Sequence, residues 1–315
     1  MTLTRTSTKS AWATLGRDVS GCQDTLDAMH KAKMTGWKVQ KSPLQTPEGL
    51  PVPNRFAIVR GTGKTARVLG TLGGNYHPVQ NEEYAPFVDG LVERLGGVLT
   101  YAGGADDGSL CFVTMDLPER LQAVGGVDPV QVGLAVYWSH TGLVPVTVEP
   151  YALHVNSRAL VPPPPPPPNV PHRLTVKNSR DVLQVLAAAE RGVPGMVDNY
   201  VQRFTDWSAL LCSGPADLGE FGYWAGKHFG PTRADGSATQ SRAARRVDAM
   251  VELFASSRVP EPLRETGWAA AVALCEWSDH HSETRGDERD VSRARNAILG
   301  PNIKRTALSV LPHWD

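Results

Sequence analysis

Basic and aromatic residues share several segments whose patterns predict β-strands, and such surfaces can bind single-stranded nucleic acid. Cationic side chains pair with phosphates, while aromatic rings stack on bases. The candidate binding residues are Arg55, Lys64, Arg67, Trp138, His140, Arg158, Arg173 and Lys177. In this interpretation Trp138 stacks on a base and the cations neutralise phosphates. The alternative is that the charges are ordinary solvated residues and the aromatics are half-buried in a sheet.

A second group of residues that could do chemistry closes an otherwise apolar predicted helix. Carboxylates and imidazoles are ligands for zinc or iron, and residues four apart share one helix face. The group consists of Glu276, Asp279, His280 and His281. The alternative is structural, because a histidine near a helix C-terminus also interacts favourably with the helix dipole. No second cluster completes a ligand set, so the sequence assigns no metal and no cofactor.

Motifs of the common enzyme classes are missing. The stretch GTGKT (Gly61–Thr65) lacks the glycine that a phosphate-binding loop needs at Ile58, and ARVLGTL after it predicts a strand instead of a helix. A hairpin turn explains these glycines. The sequence has no GxSxG, no GxGxxG after a strand, and no cysteine in a catalytic or metal-binding spacing. We therefore expect a binding protein in preference to an enzyme.

The overall composition is electrically balanced. The 315 residues carry 32 Lys and Arg against 32 Asp and Glu, so the formal net charge is zero. A neutral chain has no global field that attracts nucleic acid or an anionic membrane, so such binding needs a local patch. The N-terminus lacks the apolar core of a signal peptide, and no stretch of about 18 apolar residues could span a membrane. We expect a cytoplasmic protein with reduced cysteines and no membrane partner.

Composition and periodicity divide the chain into four regions, which together predict an α+β protein. Residues 1–35 are polar and basic and are expected to form an arm or a loosely docked helix. Residues 36–161 predict an antiparallel sheet with one packed helix. Residues 162–171 contain seven consecutive prolines and predict a polyproline II rod. Residues 172–315 show repeated apolar stripes and predict a mostly helical region.

The best-defined predicted element is a helix that begins at Asn81, a residue able to cap free backbone amides, and ends at Gly96. Its apolar residues recur at intervals of three and four. The predicted strands are WKVQ, NRFAIVRG and ARVLGTLGG before this helix and VLTYAGG, SLCFVTMDL, QVGLAVYWSH and VPVTVEPYALHV after it. Further helices are predicted at 179–189, 197–211, 218–229, 241–254, 267–280 and 290–299.

Three segments carry a family resemblance: NRFAIVR, VLGTLGGNYHPVQNEEYAPFVDGLVE and TYAGGADDGSLCFVTMDLP. In this order they resemble the phage/plasmid-like proteins grouped under domain of unknown function 932. The resemblance extends over roughly residues 36–310, and GNYHPVQNEE is its most specific part. The chain departs from the family at HVNSR, where relatives usually carry a cysteine and an Asn-Thr pair. The resemblance implies a bacterial host cell and a gene that travels with replication and recombination genes.

Three functional hypotheses follow from these patterns. The first is a phage or mobile-element DNA-metabolism protein that binds single-stranded DNA, promotes annealing or recombination, and assembles into a homo-oligomer. The second is a metal-dependent enzyme that acts on nucleic acid or nucleotides through the helix-end group. The third is a phage interaction protein that acts on host factors and uses the proline rod.

Overall fold

The computed structural model describes residues 9–105, 108–214, 216–231, 238–284 and 288–299, together with positions 304, 308, 309 and 311. Antiparallel strands dominate the first half of the described chain, and helices dominate from residue 182 onward. This arrangement confirms the predicted α+β class. None of the described helices is both long enough and apolar enough to cross a membrane.

The elements are named here in chain order. The described strands are β1 (Arg17–Asp18), β2 (Val39–Gln45), β3 (Pro51–Arg60), β4 (Arg67–Gly73), β5 (Val98–Ala105), β6 (Leu110–Asp116), β7 (Gln122–Val124), β8 (Asp128–Trp138), β9 (Val146–His154) and β10 (Leu174–Val176). The described helices are α1 (Ala11–Leu15), α2 (Thr25–Lys31), α3 (Ala85–Leu95), α4 (Val182–Ala189), α5 (Val193–Ser213), α6 (Leu218–Phe229), α7 (Ala238–Ala255), α8 (Gly267–Glu276) and α9 (Arg289–Leu299).

The strands form two antiparallel sheets. The large sheet has the order β1-β5-β6-β8-β9-β10, with β7 paired to β8 outside this path. The small sheet has the order β2-β3-β4. The turn between β3 and β4 carries the GTGKT sequence, and a strand follows at Arg67 as predicted. The glycines therefore serve a hairpin, and no phosphate-binding helix begins there.

Strands β6 and β8 are almost continuously apolar because both faces of the large sheet are covered. On one face, Val113 and Val136 join the main core with the helices of the second half of the chain. On the other face, Phe112 packs 5.0 Å from the ring of Trp12 on α1, and α9 packs against α1. A sheet enclosed on both sides has little surface left for a ligand.

Residues 9–35 are part of the core, so the predicted arm or loosely docked helix is wrong for this segment. Trp12, Met29 and Met34 are all buried, and β1 pairs with β5 of the large sheet. The prediction followed the polar and basic average composition of the segment. A few large apolar side chains nevertheless bury enough surface to dock it against the core. Residues 1–8 of the predicted arm lie outside the described residues.

The helix predicted from Asn81 begins as a 3₁₀ turn and continues as α3. Gly96 ends it with a φ of +62°, a left-handed conformation that glycine adopts at little cost. The N-terminal flanking position belongs to Gln80, whose backbone N–H donates to Glu83 Oε2 at 2.6 Å. The prediction that Asn81 caps the helix is therefore wrong, since its side chain is buried among tertiary partners.

Each of the six helices predicted after the prolines is found, as α4 to α9. Helix α8 continues into a π-helical turn, Trp277–His281. The proline run lies against α5, where Arg203 Nη1 donates to the backbone oxygen of Pro164 at 2.9 Å. One buried apolar cluster contains residues from α2, the large sheet and α8, so strands and helices share a core.

Candidate nucleic-acid interface and buried polar centres

The structure places two of the predicted binding residues in the core. Trp138 has no exposed surface and His140 is 1% exposed. The Trp138 ring packs 4.6 Å from Tyr84 and its Nε1 donates to Asn81 Oδ1 at 2.9 Å. A base cannot reach either side chain in this arrangement. The prediction that Trp138 stacks on a base is therefore wrong, because the residue belongs to the main core and packs against the 3₁₀ turn that precedes α3.

Asn81 is the centre of a buried hydrogen-bond cluster. Its Oδ1 accepts from Trp138 Nε1 at 2.9 Å and from His140 Nε2 at 2.8 Å, while its Nδ2 donates to the Met34 oxygen at 2.8 Å. Because Oδ1 can only accept, His140 carries its proton on Nε2. Burial, with a smaller contribution from the nearby positive charge of Arg60, lowers the pKa of His140 to about 4. The imidazole is therefore neutral near pH 7.

Residues 80–83, which we call the QNEE segment, hold the chain between α2 and β2. Gln80 accepts from the Val39 backbone N–H at 2.9 Å and donates to the Val39 oxygen at 2.8 Å. Glu82 accepts from the backbone N–H of Gly36. Sequence reasoning missed this role, because four consecutive polar residues before a helix resemble an ordinary helix start. The contacts explain why the segment is polar while its surroundings are apolar.

The tip of the β3–β4 hairpin concentrates positive charge. Lys64 and Arg67 are exposed there, and Arg60 pairs in register with Arg67. The guanidinium of Arg60 lies 3.5 Å from the ring centre of Trp37, which is a cation–π contact. Within residues 31–80 there is one acidic residue, Glu48, against eight basic ones: Lys31, Lys33, Lys38, Lys41, Arg55, Arg60, Lys64 and Arg67.

Two further predicted residues lie near the other end of the small sheet. Arg55 is exposed opposite Gly73, five residues before Arg60, which corresponds to about 16 Å along an extended strand. Lys177 is exposed next to Asn178, whose backbone oxygen accepts from the N–H of His77 at 3.1 Å. Since His77 follows β4, the chain at Lys177 runs beside the small sheet.

Arg158 lies far from this group. Strand β10, which immediately precedes Lys177, pairs with the first residues of β9, whereas Arg158 follows the end of β9. The eight residue steps along β9 correspond to about 26 Å. Burial raises the pKa of Asp116, and the charge of Arg158 opposes that shift, so Arg158 lies near the far end of the large sheet. The structure therefore does not bring the predicted binding residue Arg158 together with Lys177 and the small sheet. Arg173 is exposed at the start of β10.

The helix-end group is engaged by protein partners. Glu276 is 3% exposed and pairs with Arg258 Nε at 2.9 Å. Asp279 accepts from the backbone N–H of Leu160 at 2.8 Å and forms an ion pair with Lys304. Buried charges of this kind persist only when they are paired and hydrogen-bonded. Glu276 and Asp279 therefore have structural roles in the described chain.

The two histidines of the group belong to the same region. His280 Nε2 lies 3.0 Å from the backbone oxygen of Ser157, and burial lowers the pKa of His280. Burial also lowers the pKa of His281 to about 4, with the neighbouring His280 contributing. Among the residues that the structure describes, no group of three or more His, Cys, Asp or Glu side chains is arranged to hold a metal ion.

A buried Asp–His–Ser chain also lies beside this region. His154 Nε2 is 3.0 Å from Asp128 Oδ2, and His154 Nδ1 is 2.7 Å from Ser157 Oγ. Trp268 Nε1 donates to Asp128 Oδ2 at 2.7 Å. Hydrolases use the same residue types, but a nucleophile must reach its substrate, and these Asp, His and Ser side chains are fully buried. These hydrogen bonds instead link β8, β9 and α8.

Comparison with known proteins gives one match. Residues 68–154 match the family model described as "Domain of unknown function (DUF932)". The matched segment runs from the second residue of β4 to the last residue of β9 and includes the QNEE segment. It is shorter than the resemblance over residues 36–310. Searches of the curated proteins and of the solved structures found no match.

Proposed function

We propose that this chain, whose residues 68–154 match the DUF932 family model, binds single-stranded nucleic acid on its small sheet. The observation that carries the proposal is the local charge: residues 31–80 contain eight basic residues and one acidic residue in a chain of zero net charge. A local basic patch on a neutral protein attracts a polyanion to one surface instead of to the whole molecule.

The spacing of the cations favours an extended ligand. Lys64 and Arg67 lie at the hairpin tip, and Arg55 lies about 16 Å away on the same hairpin. A compact anion would contact one end only, whereas a flexible single strand can follow the hairpin from end to end. Lys177 extends the same surface, since its neighbour Asn178 accepts a hydrogen bond from His77, four residues after β4.

The proposed binding depends mainly on phosphate contacts. Trp138, the predicted stacking residue, is buried, and Trp37 is 5% exposed beneath Arg60. Without a stacking platform on these residues, affinity comes from counterion release, which is independent of base sequence. For a single strand, each phosphate contact contributes about −0.7 to the slope of log affinity against log salt concentration.

The biological setting that we propose is DNA metabolism of a phage or another mobile element. Single-stranded DNA is the substrate of annealing and recombination, and proteins that coat it commonly bind side by side along the strand. We therefore include assembly of several copies on the strand in the proposal. The support is the resemblance to phage/plasmid-like proteins together with the basic hairpin.

Fluorescence anisotropy with the full-length protein and a labelled mixed-sequence single strand tests this proposal. The variant Lys64→Gln/Arg67→Gln should weaken binding and reduce the salt slope by about 1.4. The matched control is Arg191→Gln/Arg264→Gln, which removes two exposed arginines from the helical region and should leave the slope unchanged. No binding by the wild-type protein at low salt, or equal slopes for the two double variants, contradicts the proposal.

A further inference from the structure

Positively charged residues occupy unfavourable backbone conformations in this protein. Within the described chain, the non-glycine residues with positive φ are Lys33 (58°), Lys38 (50°), Asn54 (52°) and Arg158 (60°). Asparagine tolerates this left-handed region, but lysine and arginine have no intrinsic preference for it. Basic side chains thus stand at three positions where glycine or asparagine would cost less.

Two of these residues flank one short segment, residues 33–38, which we call the lysine loop. Lys33 and Lys38 are both exposed, while Trp37 between them is buried. The loop is next to the hairpin tip, because the Trp37 backbone oxygen accepts from the N–H of Gly61 at 2.9 Å. Arg60 packs on the ring of Trp37 from the hairpin side. The lysine loop therefore lies next to the hairpin tip and adds two exposed lysines to its cations.

The lysine loop also contains a glycine that serves as an internal comparison. Gly36 has a φ of +70°, so the loop uses glycine at one of its left-handed positions. At the other two left-handed positions it uses lysine. Asparagine or glycine adopts the left-handed conformation at lower cost, and an outlier of this kind motivates the hypothesis that the two ammonium groups act outside the fold.

The end of α2 and the QNEE segment together hold the lysine loop. The Met34 N–H donates to the Met29 oxygen at 2.9 Å, which closes α2 with Lys33 in the left-handed conformation. Asn81 donates to the Met34 oxygen at 2.8 Å, Gln80 forms two hydrogen bonds with Val39, and Glu82 accepts from Gly36. The loop is therefore fixed at its start, its middle and its end. Backbone strain persists where surrounding contacts determine the geometry, and such sites are often functional.

We propose that Lys33 and Lys38 contact phosphates of the bound strand, and that Gln80 is a positioning residue for the lysine loop. This inference rests on the proposed function and extends the nucleic-acid surface from the small sheet to the segment between α2 and β2. The ligand chemistry is the phosphodiester backbone, because two lysines held near an arginine-rich hairpin offer charge and hydrogen-bond donors but no base-reading geometry.

The decisive variant is Lys33→Asn/Lys38→Asn, since asparagine accepts the left-handed conformation and carries no charge. The melting temperature of this variant should equal or exceed that of the wild type. Its Kd for the single strand should rise about 10-fold or more at low salt, and the slope of log affinity against log salt concentration should fall by about 1.4. The control Lys33→Arg/Lys38→Arg retains the charge and should retain both the affinity and the slope.

The positioning role has its own readout. Gln80→Ala should reduce the salt slope although it removes no charge, and it should cause no further loss of affinity in the Lys33→Asn/Lys38→Asn background. If Gln80→Ala only destabilises the fold, it should lower the affinity equally in the wild-type and the Lys33→Asn/Lys38→Asn backgrounds. That result would overturn the positioning role.

The same experiments separate the two proposals. If Lys33→Asn/Lys38→Asn binds like the wild type while Lys64→Gln/Arg67→Gln binds weakly, the lysine loop is not a contact and the proposed function stands. If the wild-type protein does not bind single strands at low salt, both the proposed function and the lysine-loop inference fail.

Discussion

Replacing Asn81 with alanine should remove a large part of the free energy of unfolding of this protein. The substitution removes three hydrogen bonds of 2.8–2.9 Å and leaves the Trp138 indole N–H, the His140 Nε2–H and the Met34 oxygen without partners. Trp138 and Met34 are 0% exposed and His140 is 1% exposed, so bulk water does not replace the lost contacts.

The magnitude follows from the cost of orphaned polar groups. Each buried unsatisfied group costs about 1–3 kcal/mol, and the three are not fully additive, so we expect a loss of about 3–6 kcal/mol. A domain of ordinary stability has only about 5–15 kcal/mol in total. Urea denaturation followed by circular dichroism should show a much lower midpoint, with Asn75→Ala, an exposed asparagine in the preceding turn, as the control.

A double-mutant cycle tests the cause. In Asn81→Ala/Trp138→Phe the indole donor is absent, so the combined loss should be smaller than the sum of the two single losses by about 1 kcal/mol or more. The reasoning is refuted if Asn81→Ala costs less than about 1 kcal/mol, or if the two substitutions are simply additive.

Two further predictions concern buried charge. Burial lowers the pKa of His140 and of His281 to about 4, so at these two sites the unfolded chain binds more protons than the folded chain below about pH 6.5. The free energy of unfolding, measured by urea titration at several pH values, should therefore fall from pH 6.5 to pH 4, and a rise over this range would contradict the assignment. Lys304→Met should cost about 3–5 kcal/mol because it strands the buried carboxylate of Asp279, whereas Arg245→Met, from an ion pair whose side chains are both 63% exposed, should cost less than about 1 kcal/mol in the same assay.

Local patterns in the sequence predicted most of the secondary structure. The three strands of the small sheet, strands β5, β6, β8 and β9 of the large sheet, the hairpin turn at GTGKT and the helices α3 to α9 follow from alternation, turn residues and apolar periodicity. The short strands β1, β7 and β10 were not predicted. These signals extend over a few residues, so they do not depend on the rest of the chain. The same reasoning failed for residues 9–35, since docking there depends on a surface supplied by distant strands.

The sequence also identified the basic hairpin of Arg55, Lys64 and Arg67, because charge is a property of residue type and remains visible without a structure. Only the tertiary structure decided which other residues join it. Trp138 looked like a half-exposed sheet aromatic, but both faces of the large sheet are covered, and coverage depends on elements far away in the chain.

The same reason accounts for Asn81 and the lysine loop. The neighbouring sequence predicts that Asn81 caps a helix, yet its hydrogen-bond partners Met34 and Trp138 lie 47 and 57 residues away in the chain. The left-handed backbone of Lys33 lies at the end of α2, where the Met34 N–H donates to the Met29 oxygen at 2.9 Å, and that of Lys38 precedes Val39, which Gln80 holds with two hydrogen bonds. Sequence determined which elements form and where charge is available, whereas long-range contacts determined which side chains are enclosed and which are presented to a ligand.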